Sequence, residues 1–175
     1  MDWYTVIFEL IDMRSFSNLW FWIALAVLWS SASHWVLGVP WDMVNRSKRQ
    51  GGEAEAHLDT LVHIYADRIL FIVAEAGLWI TGFGFFITTT LAMMGFVYHM
   101  EFAQAVFLLF FPMLGVAVIS MNTARAVKGR DLHGEALRNR LKWHRLYVQL
   151  VGMVSIFVTA MWGMFINLST SPLMN

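Results

Sequence analysis

The chain contains no cysteine. That excludes disulfides, thiolate zinc sites and thiolate-held iron–sulfur clusters. Charged residues are scarce, at 14% of the chain, where a soluble domain carries roughly 25%. Lys plus Arg and Asp plus Glu balance at 12 each, so net charge gives no nucleic-acid signal. No HExxH, P-loop, GxSxG or dinucleotide fingerprint is present. Against these shortages stands an excess of apolar side chains. Of 175 residues 58% are hydrophobic and 15% aromatic, and the mean hydropathy is +0.58. Such a chain is too apolar for disorder or for a soluble domain, and reads as one small integral membrane domain over 1–175.

A spanning helix needs about 20 mainly apolar residues, because the hydrocarbon is about 30 Å thick. Four stretches meet that demand: 19–37, 69–91, 102–121 and 146–168. None holds Lys or Arg, and Glu75 is the one acid inside them. The expected fold is therefore an all-α membrane protein with four transmembrane helices in a bundle.

Basic residues fix the expected orientation. Arg46, Lys48, Arg49 and Arg68 lie in the loop 38–68. Arg125, Lys128, Arg130, Arg138, Arg140, Lys142 and Arg145 lie in the loop 122–145, which leaves Arg14 alone elsewhere. Lys and Arg are retained on the cytoplasmic side during insertion. Both termini are thus expected outside, and both long loops inside. Residues 1–16 show helical spacing of Trp3, Val6, Ile7, Leu10 and Met13, which predicts an interfacial amphipathic helix.

The two inner loops also carry helical patterns. The segment 53–68 spaces Ala54, Leu58, Leu61, Ile64 and Tyr65 along one face, and nothing stops it running on into the second span. In the other loop Leu137, Leu141, His144 and Val148 share a face. Arg138, Lys142 and Arg145 share another, suited to anionic headgroups or to an acidic partner. Gly38-Val39-Pro40 is expected to end the first span. Small residues allow close helix approach in lipid. Two stripes qualify: Gly77, Thr81 and Gly84 in the second span, and Gly152, Ser155, Thr159 and Gly163 in the fourth. The third span has no such stripe, so its Phe side is expected to meet lipid or a partner.

Glu75 is the first candidate for chemistry, since an ionisable residue within a span is a functional hypothesis by default. A proton relay and a structural polar contact are its two readings. His34, His63 and His144 come next. All three sit near the inner side, and two of them could serve as axial ligands of a b-type haem. Glu53 with His57, Asp59 with His63, and His63 with Asp67 are spaced i,i+4, as zinc ligands or as ordinary surface pairs. No third and fourth ligand can be named from the sequence, so no metal site is expected.

The string MDWYTVIFELIDMRSFSNLWFWIALAV, followed by SHWVLGVPWDMV, resembles a family of small inner-membrane proteins of alphaproteobacteria. They are often labelled "component of SufBCD complex", the iron–sulfur cluster assembly machinery. The resemblance implies a bacterial inner-membrane location and a role as a membrane dock for that machinery. It supplies no functional residues. The expected function is non-enzymatic: an accessory, scaffold or assembly protein whose partners are anionic lipid, another protein or a second copy. The alternatives are a small proton-coupled transporter or channel using Glu75, and a haem-bearing redox anchor.

Overall fold

The structure is a computed structural model and describes residues 15–169. The expected interfacial helix 1–16 falls almost wholly outside them. Its last two residues open a 3-10 turn, Ser15–Ser17. Five helices follow: α1 Leu19–His34, α2 Trp41–Gln50, α3 Gly52–Ala92, α4 Glu101–Gly129 and α5 Gly134–Ser169. A two-stranded antiparallel hairpin, β1 Trp35–Val36 and β2 Val39–Pro40, joins α1 to α2. Among the described residues the fold is all-α apart from this hairpin. α3, α4 and α5 are long and apolar enough to cross a membrane, and α3 is so together with its continuation to Val97. α1 is apolar but has 16 residues, about 24 Å of helix.

The first apolar stretch therefore departs from expectation at its end. It leaves the helix at His34 rather than at residue 37. Leu37 and Gly38 have φ of 51° and 82°, the left-handed pair that closes a two-residue hairpin. Gly38 is needed there for a second reason. A Cβ on it would lie 2.8 Å from the ring of Tyr65. The basic stretch after it is not a plain linker but α2, whose Val44 and Ser47 are buried.

Nothing interrupts α3 between its polar and apolar halves, as its sequence implied. Its 41 residues make a rod about 62 Å long, twice the hydrocarbon thickness. It ends in a π-helical turn, Met93–Val97. α4 runs unbroken past Pro112 to Gly129, well beyond residue 121. α5 starts at Gly134, so the loop 122–145 is helix apart from the short break between α4 and α5.

The best-packed core lies at the polar end, not in the apolar spans. Val36, Leu37, Val39, Val44, Leu58, Val62, Ala66, Ala124, Val127, Leu137 and Leu141 bury together there. They come from the hairpin and from α2, α3, α4 and α5. The physical reason is the solvent. Water drives apolar burial, whereas lipid tails solvate Leu and Phe as well as a neighbouring helix does. We call this unit the head.

Along the spans α4 is central, packed against both α3 and α5. The expectation that the Phe side of the third span faces outward holds in part, since none of its four Phe is buried. Phe102 and Phe111 are exposed, while Phe107, edge-on to Phe96, and Phe110 are half-buried. The outward helix is α3: none of its most apolar stretch is buried. The α5 stripe is fully used. Gly152, Ser155, Thr159 and Gly163 are all buried, with Gly152 against Trp29 and Gly163 against Phe16. The α3 stripe is not. Gly84 approaches Leu114, but Thr81 is exposed and a Cβ on Gly77 would meet only Val73 of its own helix.

Candidate functional site

The densest cluster of ionisable side chains sits on the head, where the α4–α5 turn leans on α3. His63 and Asp59 stand one helical turn apart on α3. Asp131 and His133 come from the turn. Asp59 organises it: its carboxylate accepts from the Gly134 backbone N–H at 3.3 and 3.4 Å and faces His133 Nδ1 at 3.2 Å. Asp131 Oδ1 lies 3.2 Å from His133 Nε2 and 3.8 Å from His63 Nε2. The two imidazoles stack, with centroids 4.7 Å apart and planes at 13°. His63 Nδ1 sits 2.8 Å from the Asp59 carbonyl one turn back. Its Nε2 is buried and has no hydrogen-bond partner.

Backbone geometry sets up the turn. Asp131 has φ +47° and Gly134 φ +56°. Asp tolerates the left-handed region better than most residues, and here that conformation carries its carboxylate to the imidazoles. The pKa of His133 is raised above its ordinary value by its bond to Asp59, then by its bond to Asp131, against some desolvation.

Sequence reasoning found half of this site. Asp59 and His63 were visible as an i,i+4 pair, but the two residues that complete the cluster were not attached to them. The available signal was Asp131-Leu132-His133-Gly134, two ligand-type residues two apart at a break between helices. The third expected pair dissolves. Asp67 bonds Lys128 at 2.7 Å instead.

The remaining candidates are spread out. His144 is buried, with Nδ1 3.0 Å from Thr123 Oγ1. His34 lies edge-on to Trp35. His63 has turned to His133. Of the basic trio, Arg138 bonds Glu55 at 2.7 Å. Arg145 donates to the Ser33 carbonyl at 3.3 Å and covers the Trp41 ring at 4.4 Å. These two brace the head internally, so Lys142, beside Lys48 in an open polar pocket of about 490 Å3, is the one left facing outward.

Glu75 is exposed on the outer face of α3, among Ile72, Leu78 and Trp79. Its carboxylate has no partner among the described residues. At the far end of the spans a polar knot closes the bundle. Gln104 donates to the Gly95 carbonyl at 2.8 Å and accepts from Trp162 Nε1 at 2.9 Å. Glu101 accepts from the Phe16 N–H at 2.6 Å.

No protein-family profile matches the sequence, and no curated protein or solved structure is similar to it.

Proposed function

We propose that this protein is a non-enzymatic, four-span accessory or scaffold subunit of a larger complex in a bacterial inner membrane. α1 makes the fourth crossing with the help of the apolar turn and hairpin at its two ends. The termini are periplasmic and the head is cytoplasmic, as the distribution of Lys and Arg favours.

One observation carries the reading: the outer face of α3. Leu78, Trp79, Phe83 and Phe86 are 87, 70, 61 and 68% exposed there. Lipid alone would satisfy such a face. It would not satisfy Glu75, about 9 Å along the helix from Ile69. A carboxylate at that depth is stabilised when another helix donates to it. A partner subunit that supplies a donor meets both needs of the face at once. The proton-transport reading would place Glu75 on a water-reached inner path, so its outward position favours the accessory reading. The N-terminal resemblance names the process to try first, iron–sulfur cluster assembly. A chain without cysteine would serve there as a dock and not as a carrier.

The test is purification from native membranes in mild detergent, with native-gel sizing, mass spectrometry and an absorbance spectrum on one sample. A stoichiometric second protein is expected, lost from Glu75→Ala and Trp79→Ala preparations. A homo-oligomer without partner, together with proton uptake abolished by Glu75→Gln, would replace this reading with transport. A Soret band would replace it with a haem anchor.

A further inference from the structure

We infer that His63, Asp131 and His133 form a binding site for a borderline divalent metal ion of the zinc class, tying the α4–α5 turn to α3. The three donor atoms lie within 4.8 Å of one another. Tetrahedral zinc, with bonds of about 2.0–2.2 Å, holds its donors about 3.4 Å apart. The Asp131 to His133 edge, at 3.2 Å, is already there, and the Asp131 to His63 edge, at 3.8 Å, is close.

The orientation of the rings is more telling than the distances. A metal-binding imidazole uses one nitrogen for the ion and donates its other N–H to a carboxylate or carbonyl, which fixes tautomer and direction. Both rings meet that requirement. The His63 Nδ1–H donates to the Asp59 carbonyl, and the His133 Nδ1–H to the Asp59 carboxylate. Both Nε2 atoms then face Asp131. On His63 that atom is buried and has no hydrogen-bond partner, Asp131 standing 3.8 Å away, and a buried nitrogen without a hydrogen bond calls for an occupant. Asp131 faces water with 83% of its side chain exposed, so an ion has an entry path and a fourth position for water. Two nitrogens and one carboxylate suit zinc and its neighbours. Magnesium and calcium want oxygen throughout. Binding requires one adjustment. The rings, nearly parallel, must open so that one ion lies in both planes, and half-exposed His133 has the room to turn while keeping its bond to Asp59.

The experiment is calorimetric titration of the full-length chain in detergent with zinc chloride, after chelator treatment. One equivalent is expected per chain, with no heat from magnesium. His133→Ala and Asp131→Asn should each weaken binding by at least about tenfold, and Asp59→Asn by about 10–100-fold. His57→Ala, on the same helix but outside the cluster, should bind as wild type. Thermal unfolding is the second readout: zinc should raise the midpoint of wild type and leave that of His133→Ala unmoved. A wild-type protein that takes up no zinc would overturn the site. So would His133→Ala binding as tightly as wild type, or His57→Ala losing as much.

Discussion

A methyl group added at Gly152 would lie 2.8 Å from Cε3 of Trp29, inside any allowed contact. The ring is buried, so it can yield only by pushing on what covers it. Gly152→Ala should therefore lower stability by about 1–3 kcal/mol, the range for overpacking, as read by thermal unfolding in detergent. Gly115 supplies the control. Nothing lies within 4 Å of a Cβ there, so Gly115→Ala should be neutral or stabilising by up to about 1 kcal/mol. Equal losses at the two sites would show that packing against Trp29 is not what Gly152 provides. Gln104 makes the same point with hydrogen bonds. It is buried, and Leu in its place would strand the Gly95 carbonyl and the Trp162 N–H. Gln104→Leu should cost about 1–3 kcal/mol for each group left without a partner.

At the scale of elements, what the sequence made legible was whatever depends on one helix. The face of Leu137, Leu141, His144 and Val148 and the stripe from Gly152 to Gly163 form one continuous buried line, because helical spacing is a local property. The passage of α3 from head to span was readable for the same reason, as no Gly or Pro interrupts the junction. The hairpin was not. Trp35, Val36 and Leu37 are as apolar as the helix before them, and composition does not register that Leu37 adopts a positive φ. The metal-type cluster was hidden by distance along the chain. His133 is separated by 74 positions from Asp59, and their meeting depends on how the α4–α5 turn docks on α3. Glu75 was legible as the one acid within a span, but which way it points depends on which helix is central, and small-residue stripes alone did not decide that. The head predicts its own fragility at this scale. Arg138→Met would leave Glu55, two-thirds buried, without its cation and loosen α5 from α3. Faster backbone hydrogen exchange at Leu58 and Val62, with little change in the second half of α3, is the expected signature.

At the scale of the whole molecule, a chain without native thiols allows its topology to be read directly. Single cysteines at Lys48, Lys142 and His99 all replace exposed side chains. A membrane-impermeant maleimide should label Lys48→Cys and Lys142→Cys from the cytoplasmic side alone, and His99→Cys from the periplasmic side alone. Labelling of all three from one side would refute the proposed orientation. The unbroken α3 has a mechanical corollary. Its 17 residues from Gly52 to Arg68 reach about 25 Å beyond the apolar run, and they are held by the core of the head. A rod fixed in this way is a lever. Tilting it by about 10° within the bilayer, through thinner lipid or a neighbour pressing on its outer face, would carry its far end sideways by about 4 Å. What happens among the acyl chains would thus be felt, as displacement, by whatever rests on the head.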